Sequence, residues 1–324
     1  MSQSRLGLVV SAPGKMMVAG EYAVLEGAEA IVAAVDRRAF ARLQSERAPS
    51  SLLSPEAAAS LAEAEKRVGR LEAGVSLDVS RMREAGLKLG LGSSAAGAAA
   101  VAGLVYAAHG RELSQADVRR EVLEAAFSGH RAVAPSGSGA DVAAAVHGGF
   151  VRFRRLGDAI ETHPIVWPAR LSARVVWTGQ EARTSDFLKC VEDLARRDPP
   201  RHRGVMAALG SEADRFVSAL LAQDLIGIVE ATGAYGRAMG ELGEAAGIEI
   251  VTETLARVSA LAERAGGAAK PSGAGGGDVA LAIFADPQAA ERFERLCGVA
   301  DLRVLSIELG APGVRVEPPS SEAA

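Results

Sequence analysis

The feature that most narrows what this chain can fold into is the run from Ala95 to Ala108, mostly alanine, glycine and valine, opened by Gly90-Leu91-Gly92-Ser93-Ser94. Side chains this small let a helix lie close to its neighbours, so the run predicts a centrally buried helix. A glycine-rich turn feeding straight into a helix leaves free backbone N–H groups and the positive helix end facing one point, which suits phosphate. Taken alone, the same residues also read as a plain tight turn with Ser93 as an N-cap.

Two further glycine-rich segments weigh against the plain turn. Ser11-Ala12-Pro13-Gly14-Lys15 lies near the start, and Lys270-Pro271-Ser272-Gly273-Ala274-Gly275-Gly276-Gly277-Asp278 near the end. No Gly-Lys-Ser/Thr follows the glycines of the 90–92 turn, so it is not a Walker A loop, and no dinucleotide fingerprint occurs in a strand-turn-helix setting.

At 324 residues the chain is long enough for two domains with their own cores, and 48% hydrophobic with 23% charged residues is ordinary for a globular enzyme. The net charge of −4 gives no global attraction to nucleic acid or to an acidic membrane, so recognition of an anionic small molecule has to be local. Cys190 and Cys297 have no partners at metal-ligand spacing and read as incidental thiols. Pro13, Gly14 and Lys15 interrupt the apolar run Leu8-Val9-Val10, and the small-residue run falls short of the ~20 residues a bilayer span needs. These readings predict a cytoplasmic protein with no membrane and no nucleic-acid partner, and set no oligomeric state.

Strand-like runs are expected at Leu6 to Ser11, Met16 to Ala19, Ala30 to Val35, Ala39 to Leu43 and Val75 to Val79, and the segment Ser45 to Ser60 reads as a mobile loop or lid. Glu56 to Arg70 also reads as a short surface helix. A helix from about Ser114, with Ser114 as N-cap, and a strand from Gly148 to Arg154 follow. Pro164 and Pro168 mark a boundary within Glu161 to Arg170, dividing the chain into 1–165 and 166–324. Beyond it come a strand Ala173 to Trp177, a helix capped by Thr184 or Ser185, further helices to Glu263, a strand Val279 to Phe284, a helix around Pro287 to Cys297, a strand near Val304 to Leu309 and a frayed tail from Pro318. Periodicity alone gives an α+β class with two domains.

The three glycine-rich segments, together with Gly137-Ser138-Gly139-Ala140-Asp141 and Trp177-Thr178-Gly179, resemble the motifs of the GHMP kinases, from about Leu8 to about Ala285. The resemblance implies an α+β fold with a ribosomal-protein-S5-like N-terminal domain and a ferredoxin-like C-terminal domain. It implies ATP and Mg²⁺ as cofactors, with the triphosphate on Lys88, Gly90, Leu91, Gly92, Ser93, Ser94 and Ala95, and Ser94 as metal ligand. Lys15 and Asp141 take the catalytic positions. Glu21, Tyr22, Ser136, Gly137, Ser138 and Arg183 fall on the acceptor, as do Ser272, Gly273, Ala274, Gly275 and Gly276 of the last loop. Lys15, Lys88, Arg131, Arg183, Arg152 and Arg154 are the cations available to an anionic substrate.

Within the family, Pro271-Ser272 before the glycines and Tyr22 after Gly20-Glu21 resemble the members that act on phosphomevalonate. Mevalonate is the nearest alternative acceptor, a sugar kinase is a weaker third reading, and a non-catalytic ligand-binding protein of the same fold is the rival from another class. One residue departs from the family pattern. At His130, mevalonate-acting members carry a metal-binding glutamate, and imidazole is a poor Mg²⁺ ligand. Either Ser94, phosphates and waters hold the metal, or Glu121 or Glu124 substitutes. His130 itself is a helix-end residue or a substrate contact.

Overall fold

The computed structural model describes residues 7–44, 53–84, 86–157, 159–182 and 184–318. The chain begins with a long strand β1 (Val9–Ala19) antiparallel to β2 (Ala30–Gln44). Each merges two of the runs expected separately. Pro13 is accommodated because the register shifts between Pro13 and Gly14, where the partner changes from Arg38 to Val35. β2 is long enough to pair at one end with β3 (Gly74–Asp78) and at the other with β6 (Phe150–Leu156). Between β3 and β6 the short β4 (Arg83–Glu84) and β5 (Leu87–Lys88) pair with each other, and β6 pairs in turn with β7 (Ala159–Ile165), which forms where the sequence suggested a polar boundary.

Against this sheet lie α2 (Ser93–Ala108) and α4 (Ala140–His147), and α1 (Pro55–Val68) and α3 (Ala116–Val133) pack in turn on α2. Every residue of α2 from Ala95 to Tyr106 is buried, as the small-residue run predicts. Gly92, in the left-handed conformation, is the N-cap of α2, so Ser93 is its first residue and not its cap. The segment read as a lid is partly this fold's own helix: Ser54 caps α1 by accepting from Ala57 N–H, while 45–52 lie outside the described residues. At α3 the cap position falls to Gln115, with no side-chain bond, and not to Ser114.

The second half has a four-stranded antiparallel sheet in the order β11 (Arg303–Leu305), β8 (Ser172–Trp177), β10 (Val279–Phe284), β9 (Ala268–Ser272). β10 reads Val-Ala-Leu-Ala-Ile-Phe without a polar residue because both of its faces are covered. Val279, Leu281 and Ile283 join the core that also holds α2, whereas Ala280, Ala282 and Phe284 pack with α8 (Glu253–Ala265) and α9 (Pro287–Val299). A third cluster joins α5 (Thr184–Arg197), α6 (Pro199–Leu221) and α7 (Leu225–Ala246) to Tyr22 and Ala23 of the first half.

Strand β11 stops at Leu305, short of the expected Leu309, and the chain then returns to the first sheet as β12 (Arg315–Val316) beside β1. Arg38 secures that return. Its guanidinium donates to Pro312 O (2.6 Å), Gly313 O (2.8 Å), Ser11 O (3.1 Å) and Ser11 Oγ (2.7 Å). Residues 319–324 of the expected frayed tail lie outside the described residues. Among the described residues no helix is long and apolar enough to cross a membrane.

Candidate active site

The turn that enters α2 is the floor of a cleft of about 450 Å³. Lys15 N–H donates to Leu91 O at 2.8 Å, which ties this turn to the middle of β1. The first helical bond runs from Ala96 N–H to Gly92 O (3.0 Å), so the amides of Ser93, Ser94 and Ala95 have no intrahelical acceptor. Gly92 sits at φ +74°, and a Cβ there would meet Lys15 Cγ at 2.9 Å. Only glycine lets the lysine stem pass at this point. The Lys15 ammonium ends 3.3 Å from Gly90 O, to which it donates.

The opposing wall is α4, whose N-cap Gly139 is left-handed and whose second residue is Asp141. One carboxylate oxygen of Asp141 accepts from Val142 N–H (2.9 Å), and the other lies 3.9 Å from His130 Nε2. The same Nε2 is 3.3 Å from Ser94 Oγ. His130, buried at the end of α3, therefore stands between the serine and the aspartate. Glu121 and Glu124 do not substitute for it: Glu121 pairs with Arg111 (3.1 Å) and Glu124 with Arg120 (4.0 Å), and neither lines the cleft.

The third wall comes from the second half. Lys270, in β9, is fully buried and forms an ion pair with Glu21, and Gly273 N–H reaches the same carboxylate oxygen at 3.4 Å. Tyr235 Oη donates to Glu21 O (2.7 Å), Tyr22 Oη to Ala274 O, and Ser272 Oγ to Met17 O (2.9 Å). These bonds join β9, the loop after it and α7 to the end of β1 and the Gly20-Glu21-Tyr22 turn of the first half. Burial pushes the Lys270 ammonium below its usual range against the pull of Glu21, and pushes the Tyr22 and Tyr235 phenols up. Glu21 Oε2 is buried without a hydrogen-bond partner.

Of the residues singled out in the sequence, Lys15, Glu21, Tyr22, Lys88, the 90–94 turn, the 136–138 turn, Asp141, Ser272, Gly273 and Ala274 all line this one cleft. Ala95 does not, since its side chain is buried, and only its amide belongs to the helix start. Gly275 and Gly276 also fall outside the lining. A Cβ on Gly275 would meet Ile250 O at 2.4 Å and one on Gly276 the Phe187 ring at 2.1 Å, so both pack inward. Arg183 lies outside the described residues. Arg152 pairs with Glu29 (3.6 Å) and Arg154 donates to Gly27 O (2.9 Å), both away from the cleft lining, and Arg131 does not line it either.

Sequence reasoning missed Glu181 and Asp278. Asp278 closes the last quoted segment and has φ +51°, its Oδ1 accepts from Ala182 N–H (3.1 Å), and its carboxyl lies directly against Gly90. An acid ending a glycine run was the available signal.

The family models for the GHMP kinases N-terminal domain and the GHMP kinases C-terminal region match residues 55–149 and 205–296. A phosphomevalonate kinase of Streptomyces sp. strain CL190 is 30% identical across 88% of this chain and 91% of its own. This chain belongs to the GHMP kinases. As a member of that family it is a small-molecule kinase. A mevalonate kinase of Aeropyrum pernix is 28% identical to this GHMP kinase across 95% of this chain and 97% of its own. The fold is also that of a solved Streptococcus pneumoniae phosphomevalonate kinase in complex with phosphomevalonate and AMPPNP, with a TM-score of 0.77, 19% identity, and 93% and 99% of the two chains covered.

Proposed function

We propose that this GHMP kinase transfers the γ-phosphoryl group of ATP to phosphomevalonate, giving diphosphomevalonate and ADP. The observation that carries the acceptor assignment is the 30% identity to the Streptomyces phosphomevalonate kinase over nearly the whole of both chains. Tyr22 and Ser272, both on the cleft wall, are the residues that drew the same reading from the sequence.

The residues divide the work of phosphoryl transfer, in which positioning and charge stabilisation dominate. The amides of Ser93, Ser94 and Ala95 offer unpaired donors to phosphate oxygens at the positive end of α2. Lys15, which emerges beside Gly90, supplies the cation that stabilises charge on the phosphoryl group in flight.

Mg²⁺ binds through one or two carboxylates together with phosphates and waters. Asp141 and Ser94 Oγ, on either side of His130, suit an ion carried in by the nucleotide, whereas among the described residues no three acidic, histidine or cysteine side chains converge into a cage. Such an ion would neutralise charge on the β- and γ-phosphates. A phosphate monoester, with a second pKa near ~6, is already largely dianionic at neutral pH and needs no base. Asp141 then serves the metal shell.

Mevalonate is the second reading, favoured by the Aeropyrum relative. Its alcohol has to lose a proton, and Asp141 would be the base, worth about 10²- to 10⁴-fold. A coupled ADP-release assay across phosphomevalonate, mevalonate, homoserine and galactose tests the assignment. Turnover with phosphomevalonate well above the others is expected. Nucleotide binding without acceptor-dependent ADP release would instead make the protein a non-catalytic member.

A further inference from the structure

Asp278 poses a physical problem that the phosphoryl-transfer reading does not resolve. Its backbone is left-handed, and one carboxylate oxygen holds the 178–182 turn through Ala182 N–H. Thr178 N–H and Thr178 Oγ1 both donate to its main-chain carbonyl at 3.0 Å, and its own N–H donates to Gln180 O at 2.7 Å. Asparagine would satisfy all of this, since it tolerates the same backbone and accepts the same bond. The negative charge is therefore not needed for the turn.

The charge also carries a cost. Asp278 is half-buried, and its carboxyl stands against Gly90, in the cradle where a triphosphate would lie. A carboxylate there repels the nucleotide. The favourable partners within reach are cations. Lys15 donates to the carbonyl of the same Gly90, and Lys88, two residues earlier, lines the same cleft with its N–H held by the Glu181 carboxylate. Neither lysine comes within ion-pair distance of the Asp278 carboxylate, so Lys15 and Lys88 act on it across the Gly90 turn, and the Glu181 carboxylate opposes them.

We infer that Asp278 is a positioning residue whose charge holds the Lys15 ammonium at the phosphate loop, at the expense of some nucleotide affinity. The inference rests on the cleft being a nucleotide-phosphate site but not on which acceptor is used. Asp278→Asn keeps the turn and removes the charge, so it separates the charge from the structural role.

The test measures the affinity for AMPPNP with and without Mg²⁺ by calorimetry, and kcat with the better of phosphomevalonate and mevalonate, in the parent, Asp278→Asn, Lys15→Ala and the double variant. The expected result is a split: AMPPNP binds Asp278→Asn about threefold or more tightly, while kcat falls about tenfold or more. In the Lys15→Ala background the same change leaves kcat within about twofold, because the group it acts through is gone. An Asp278→Asn kcat within twofold of the parent would overturn the inference, as would weaker nucleotide binding or an equal loss of kcat with and without Lys15. Loss of the Mg²⁺ enhancement of AMPPNP binding would also overturn it and make Asp278 a metal ligand. A parent that binds no AMPPNP would sink the nucleotide reading itself, an outcome distinct from all of these.

Discussion

The two glycine-rich loops that meet at the cleft look alike in sequence and use their glycines for different purposes. In the turn entering α2, Gly92 makes way for a flexible side chain, the stem of Lys15 at 2.9 Å. In the loop after β9, Gly275 and Gly276 make way for the protein's own interior, Ile250 O at 2.4 Å and the Phe187 ring at 2.1 Å. The first loop is built to leave amides unpaired, the second to be seated. A glycine-rich motif thus reports close approach, and only the structure says whether the approaching group is a movable side chain or the packed interior.

The largest effect that would sharpen this contrast is expected at Gly275→Val. A left-handed β-branched residue pressed on a main-chain carbonyl combines backbone strain of about 1–2 kcal/mol with overpacking of about 1–3 kcal/mol. Thermal unfolding should show a melting temperature many degrees lower, or little folded protein. A parent-like melting curve would mean that the loop is not seated as described.

Comparable in size is the buried pair beneath the same loop. Lys270→Met leaves the Glu21 carboxylate buried and unpaired, which typically costs about 3–5 kcal/mol, and adding Glu21→Gln should recover part of that loss. Denaturant unfolding of the parent, the single and the double variants measures this. A double variant less stable than Lys270→Met alone would contradict a paired charge at this junction.

Gly92→Ala is expected to cost only about 1–2 kcal/mol of folding free energy, because the obstacle is a movable lysine stem. Its effect should instead fall on activity, with kcat down about tenfold or more through a displaced Lys15. A Gly92→Ala variant that unfolds as readily as Gly275→Val would erase the distinction between the two loops.

The smallest effect is pH-dependent. Burial raises the Asp278 carboxyl above its ordinary value, against the Ala182 N–H bond and Lys15. The folded state then holds that proton more tightly than the unfolded chain, so ionising Asp278 opposes folding as the pH rises through the carboxylate range. Asp278→Asn should therefore melt slightly above the parent at pH 7, with the gap closing as the pH falls towards about 4. A gap that widens on acidification would reverse the sign and the assignment.

The parts of this molecule that are legible in its sequence are those written in local pattern. The Ala95 to Ala108 run announces a buried helix, β10 an unbroken apolar strand, and α5 follows from apolar periodicity. Lys15, Ser94 and Asp141 sit beside glycine turns whose resemblance to GHMP kinase motifs implies their roles, and the fold brings them to one cleft. What escaped depends on partners distant in sequence. β12 exists because Arg38 and β1 receive it, and β7 because β6 offers an edge to a segment that two prolines had marked as a boundary. Glu21 and Lys270 are ordinary surface residue types whose pairing only the folded chain reveals, and Asp278 looked like the end of a loop until it met Gly90.

An anionic acceptor already able to attack needs no base, so the most direct measurement is kcat/KM for phosphomevalonate and mevalonate, with the pH profile of the parent and of Asp141→Asn. The predicted result is a strong preference for phosphomevalonate, with an Asp141→Asn variant that loses activity at every pH without losing an acidic limb. A preference for mevalonate, with an acidic limb in the parent that vanishes in Asp141→Asn, would make Asp141 a general base and contradict the account.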